Sequence, residues 1–143
     1  MSGVVVVGVD GSPGAQKALR WAAREARLRQ ARLRVVMAWS YLKQPDGAFD
    51  PDYGEDDARR QADQAVAALG ADGEGIEVEA VPVCDLPARA LLQSAADADL
   101  VVVGARGVGG FKGLLLGSVS QQVAQRAPCP VVIARGEERS ASS

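Results

Sequence analysis

Histidine is absent from this chain, cysteine occurs twice and aromatic residues make up only 4%. Each shortage removes a class of chemistry. Without imidazole there is no Ser/His or Cys/His nucleophile pair, and zinc loses its commonest nitrogen donor. Cys84 and Cys129 form no CxxC spacing, so they read as two free thiols, small buried hydrophobes rather than a metal or redox centre. Sixteen Lys and Arg stand against 18 acidic residues, for a net charge of −2. The basic excess of a nucleic-acid binder is therefore missing. No apolar run nears the ~20 residues that cross a bilayer, and "MSGVVVVGVDGS" lacks the charged and long apolar regions of a signal peptide. The expectation is a cytoplasmic protein that engages neither membrane nor nucleic acid.

With so few aromatics the core must be aliphatic. Val, Leu and Ala dominate a hydrophobic fraction of 48% over 143 residues. That is a globular composition at the length of one domain, enough to bury roughly 68–70% of the surface of the unfolded chain. We expect a single domain over residues 1–136 and a small polar tail over 137–143.

"GVVVVGVD" is a short, wholly apolar run bounded by glycine, suited to a strand buried on both faces. Ser12 and Pro13 supply an N-cap and a first helical residue. Ala15, Ala18, Leu19, Ala22 and Ala26 then recur at helical spacing, predicting a helix over about residues 13–30. "ARLRVVMAW" is a second strand, and the polar, Pro- and Gly-broken stretch Ser40 to Asp57 reads as a loop. Ala58, Ala62, Ala65, Val66 and Leu69 mark the next helix, with Gly70 in the C′ position. "IEVEAVPV" alternates apolar and polar, as a strand nearer a sheet edge does. Pro87 opens a helix carrying Leu91, Leu92, Ala95 and Ala96. "DLVVVG", a helix from near Ser118 and "CPVVIARG" complete the pattern. Strands alternating with helices imply a parallel α/β sheet with helices on both faces.

The stretch "VVVGARGVGGFKGLLLGSVSQQ", Val101 to Gln122, holds six glycines after a buried strand. Open parallel sheets bind ligands beyond the carboxyl ends of their central strands. The two most apolar strands, the first and fourth, end in "GVDGS" and "VVVGARG", which would set Asp10 and Gly104 across one crevice. Glycines let backbone N–H groups approach an anion closely. Ser118 reads as an N-cap with Gln121 completing a capping box, and a helix N-terminus attracts phosphate. Ser118 and Ser120 offer hydroxyls, and Arg106 and Lys112 offer charge. The Walker pattern does not hold, because Gly113 follows Lys112, and Gly107, Gly109 and Lys112 break a GxGxxG fingerprint. The plain alternative is a glycine-rich turn that serves packing alone.

The spacing Gly104-x2-Gly107-x9-Gly117-Ser118 resembles the nucleotide-binding signature of ATP-binding universal stress proteins. "VVVGVDGS", "ADADLVVVGARG" and "PCPVVIAR" resemble the same family's first, fourth and last strand regions. The resemblance implies a Rossmann-like five-stranded parallel sheet of order 3-2-1-4-5 that binds ATP with Mg²⁺. It places Asp10 and Gly8 beside the ribose and phosphates, with Asp10 a candidate ligand to the metal, and gives Ala38 a backbone contact to adenine. Gly104, Arg106, Gly107, Val108, Gly109 and Gly110 would form the loop over ribose and phosphates. Gly117, Ser118, Val119 and Ser120 would hold the outer phosphates. The family commonly forms homodimers through the fifth strand, here Val131, Val132 and Ile133. Asp85 stands where many members have glycine in the loop after the third strand.

Four functional classes follow: a nucleotide-dependent stress-response regulator or sensor, a slow ATPase or phosphotransferase, a phosphoacceptor domain, and a family member that has lost nucleotide binding. No catalytic base stands out, which favours a sensor over an enzyme. Asp10 and Asp85 superficially suit a phosphoacceptor, but Arg135 replaces the lysine such a domain needs after its last strand. Gly104, Gly107, Gly117 and Ser118 are all in place, against the loss of binding.

Overall fold

The structure, a computed structural model, describes residues 3–40, 52–105 and 116–135. The described strands are β1 (Val4–Val9), β2 (Arg32–Trp39), β3 (Val78–Cys84), β4 (Leu100–Gly104) and β5 (Val131–Ala134). The helices are α1 (Pro13–Arg29), α2 (Glu55–Ala67), α3 (Pro87–Ser94) and α4 (Ser118–Arg126), with a 3₁₀ turn at Gly70–Gly73. The sheet order is β3-β2-β1-β4-β5, and every pairing is parallel. The expected α/β architecture and strand order are both present.

Period-two alternation divides the core in two. Val5, Val7 and Val9 of β1 face α1 and α2, together with Leu33, Val35, Met37 and Val102. Val4 and Val6 face the other way, with Val36, Val101 and Val103, onto α3 and α4. Because β1 and β4 are covered on both sides, nearly every residue in them is apolar. Edge strand β3 is half-buried throughout except at Glu79 and Cys84, which are exposed; the end of an edge strand leaves Cys84 in solvent rather than buried as expected, and Cys129 is only half-buried.

α1 starts where Ser12 accepts the Ala15 N–H at 3.1 Å with Pro13 in the first turn, and ends at Gln30 in left-handed geometry. Small residues on its inner face (Ala15, Ala18, Ala22, Ala26) let it lie close on the sheet.

The helix read as carrying Ala95 and Ala96 ends at Ser94, with Ala95 its cap residue, and both ends of α2 also differ from the sequence reading. α2 begins at Glu55, so Glu55, Asp56 and Asp57 are helical rather than loop. Three acids in a first turn complement the helix dipole, and the Asp57 carboxylate accepts the Gly54 N–H at 2.9 Å. At the other end α2 stops at Ala67, with Ala68 as the cap residue, before Gly70. Gly70, at φ +58°, opens the 3₁₀ turn instead. That turn is held by α1: Arg20 and Arg24 bind Asp72, and Arg27 donates to the carbonyls of Ala71, Asp72 and Glu74.

Candidate functional site

β1 and β4 are neighbours, so their carboxyl ends lie side by side. On the β1 side the chain turns through Asp10, Gly11 and Ser12. Gly11 sits at φ +87°, a conformation that favours glycine. The Asp10 carboxylate accepts the Ser12 N–H at 2.9 Å and the Ser12 hydroxyl at 2.6 Å, while Ser12 Oγ accepts from Ala15. Half-buried Asp10 thereby fixes the rotamer of the residue that caps α1. The sequence marked Asp10 and Ser12 separately; "DGS" was the local signal that joins them.

On the β4 side, Gly104 carries the first turn of α1. A Cβ built on it would lie 3.0 Å from the Gly14 carbonyl oxygen and 3.1 Å from its carbon. Gly8 is likewise a packing glycine, with Leu91 of α3 only 2.9 Å from the position of its missing Cβ. Ala38, the penultimate residue of β2, pairs with Val83 and packs into the cluster beneath α3 and α4. Trp39 packs against Tyr53 with the rings tilted by 58° and 5.8 Å between their centroids, and Tyr53 donates to Gln61 at 2.6 Å. Tyr53 itself precedes α2, within the stretch that the sequence reads as a loop.

The start of α4 differs from expectation. Gly117 is the N-cap and Ser118 the first helical residue, so no Ser118/Gln121 capping box forms. The buried Gly117 N–H donates to Ala105 at 2.6 Å and its carbonyl accepts from Gln121 N–H at 3.0 Å, which starts the helix one residue earlier than a Ser118 cap would. The Gln121 side chain reaches back to the Leu116 carbonyl instead. Among the described residues no side chain caps this end. The leading N–H groups of a helix have no intrahelical acceptor, so Ser118 and Val119 offer donors where the dipole is positive. Ser118 is exposed, Val119 packs against the α3–α4 core, and Ser120 is buried.

Arg106, Gly107, Val108, Gly109 and Gly110 lie outside the described residues, as does Lys112. Of the predicted site, the structure brings Asp10, Gly104 and the Gly117–Ser120 turn to one end of the sheet, with Gly8 and Ala38 in the adjoining strands. A cavity of about 280 Å³ opens beside them, lined by Val9, Gly11, Ser12, Met37, Gln16 and Gln61 among others. It lies toward β2 and α2 rather than between β1 and β4. Asp85, after β3, binds Arg89 at 3.2 Å and accepts the Leu86 N–H, serving the start of α3. Among the described residues no group of three or more His, Cys, Asp or Glu side chains could hold a metal on its own, and no helix is long and apolar enough to cross a membrane.

The model of the universal stress protein family matches residues 1–135. The chain belongs to this family. It is 40% identical over 146 aligned positions to the universal stress protein Rv2623 of Mycobacterium tuberculosis, covering 94% of this chain and 48% of the relative. The chain thus spans about half the length of the curated relatives it matches. Among solved structures it is similar to a universal stress protein in complex with cAMP, at 32% identity and a TM-score of 0.69, covering 95% of this chain and 98% of the other. It is also similar to the universal stress protein from Archaeoglobus fulgidus in complex with dAMP, at 25% identity and a TM-score of 0.64, covering 94% and 98%. Some structural relatives in the family therefore bind adenine nucleotides.

Proposed function

We propose that this universal stress protein binds ATP with Mg²⁺ at the carboxyl ends of β1 and β4 and acts as a nucleotide-dependent regulator of a stress response in the cytoplasm. The observation that carries the reading is the start of α4, which no described side chain caps and whose Ser118 and Val119 N–H groups stand at the sheet end that also holds Asp10. N–H donors with no intrahelical acceptor and a positive dipole favour phosphate there. The cAMP and dAMP complexes of relatives support an adenine nucleotide. In this reading Ala38 meets the base through its backbone, Gly8 and Asp10 border the ribose, and Gly104 with Arg106 to Gly110 lines the phosphates. The divalent ion is held mainly by the phosphates, with Asp10 able to add a carboxylate oxygen. In this reading hydrolysis is absent or slower than roughly one per second, the low end of ordinary enzyme rates.

The same reading includes a homodimer through β5. The β3 edge is closed: the Ala80 carbonyl accepts from Arg59, and Pro82 has no N–H to give a partner. The β5 run Val131–Ala134 has neither charge nor proline and is only half-buried. An apolar, unblocked edge of this kind invites a second strand.

Thermal unfolding with and without about 1 mM Mg-ATP, in the wild type and in Gly117→Val, tests the ligand. For a Kd near 10 μM, a hundredfold excess stabilises by roughly 2.7 kcal/mol, worth several degrees at this size. The shift is expected in the wild type and lost in the variant, whose unliganded circular dichroism stays native. No shift in either protein would leave the glycines to packing alone.

A further inference from the structure

Among the described residues Ser120 is the one fully buried polar side chain, at 2% exposure. Its hydroxyl hydrogen faces two backbone carbonyls: Ala105, just past the end of β4, at 2.9 Å, and Gly117, one helical turn back, at 3.0 Å. The Gly117 N–H also donates to Ala105, at 2.6 Å. Ala105 and Gly117 are the two ends of the stretch 106–116, so a single carbonyl gathers both the start of α4 and the hydroxyl from its first turn. Ala105 N–H is in turn bonded to Ala134 of β5 at 3.0 Å, which anchors the junction to the sheet.

We infer that Ser120 is a positioning residue: its hydroxyl ties the end of β4 to the first turn of α4 and so holds the α4 N–H donors in place, rather than donating to a bound phosphate itself. A buried hydroxyl with its proton directed at protein carbonyls has no proton left for an anion. Removing it leaves the Ala105 and Gly117 carbonyls with only their backbone donors, Gly117 N–H and Gln121 N–H, and takes away the side-chain link that holds α4 against the end of β4. The consequence for ligand binding rests on the nucleotide reading above; the tie itself does not.

Two readouts separate the two parts. The first is trypsin cleavage after Arg106 and Lys112 in the absence of nucleotide, followed by mass spectrometry; both bonds lie between the tied ends. The second is Mg-ATP affinity by calorimetry. Ser120→Ala is expected to raise cleavage at these bonds about fivefold and to weaken Mg-ATP by a similar factor, the scale of one ordinary hydrogen bond. Its far-ultraviolet circular dichroism and its cleavage at sites in α1 should stay as in the wild type. Ser120→Thr, which restores the hydroxyl, should return both readouts toward wild type. If the wild type binds no nucleotide yet cleavage still rises in Ser120→Ala and falls in Ser120→Thr, the tie stands and the nucleotide reading fails. Weakened Mg-ATP with unchanged cleavage would make the hydroxyl a direct phosphate ligand and overturn the inference. Cleavage and affinity both unchanged in Ser120→Ala would overturn it as well.

Discussion

Gly104 at the end of β4 and Gly14 in the first turn of α1 are packed backbone to backbone, with room for no more than a hydrogen between them: a Cβ on Gly104 would meet the Gly14 carbonyl oxygen at 3.0 Å. This contact sets the height of the α1 N-terminus over the sheet, and with it Ser12 and Asp10. Gly104→Ala must push rigid backbone aside rather than a side-chain tip. It should lower stability by about 1–3 kcal/mol, the usual cost of overpacking, read as a fall in urea midpoint at constant m-value. A midpoint equal to wild type would show that α1 moves away freely.

Gly8 makes the contrasting case, because its missing Cβ would meet the tip of the Leu91 side chain at 2.9 Å. Leu91 is 4% exposed, so Leu91→Ala alone should cost about 2–5 kcal/mol through the cavity it leaves. Gly8→Ala places a methyl group into that space. The double variant should therefore be more stable than the sum of the two single changes predicts, by at least ~0.5 kcal/mol in a double-mutant cycle. Simple additivity would mean that Leu91 already rotates clear of the added methyl.

The α1 arginines make acid sensitivity local. Hydrogen bonds from Arg24 and then Arg20 hold the Asp72 carboxyl below its usual range. A carboxyl depressed in the folded state contributes stability above its unfolded value, and loses that contribution as pH falls through the folded one. Asp72→Asn should thus be less stable than wild type at pH 7, with the difference closing as pH falls through and below the ordinary carboxylate range. Chemical denaturation at several pH values measures this; a pH-independent gap would assign the effect to packing of the 3₁₀ turn.

The β5 edge yields a directional prediction. The carbonyls of Pro130 and Ala134 accept from Val101 of β4 and from Ala105 just past its end, so by strand alternation the backbone groups of Val131 and Ile133 point to the other edge. Ile133→Pro removes an outward donor and should shift the protein toward monomer in analytical ultracentrifugation while the β4–β5 ladder persists. Val132→Pro removes an inward donor and should chiefly destabilise the fold, seen as a lower melting temperature. Equal sedimentation of wild type and Ile133→Pro would place any self-association on another surface.

Much of the molecule was legible in its residues because the signals are local. Four consecutive valines bounded by glycines announce a strand covered on both faces, and Ser12–Pro13 announces a helix start, since both depend on neighbours a few positions away. The central place of β1 and β4 followed from their unbroken apolarity, and the edge position of β3 from its alternation. The start of α4 was read one residue out: Ser118 has the chemistry of an N-cap, but Gly117 is held there by Ala105, a contact no helix rule contains.

What the sequence by itself determined is the succession of strands and helices, the two-sided core and the sheet end at which Asp10 and Gly104 lie. The tertiary structure alone decided what individual residues do there. It made Gly8 and Gly104 seats for Leu91 and α1, brought Tyr53 onto Trp39, and turned the Ser120 hydroxyl inward to Ala105. Periodicity and capping are set by the chain's own backbone geometry over one or two turns. Close packing is set by which distant surfaces come within a few ångströms, and that information exists only once the sheet has closed.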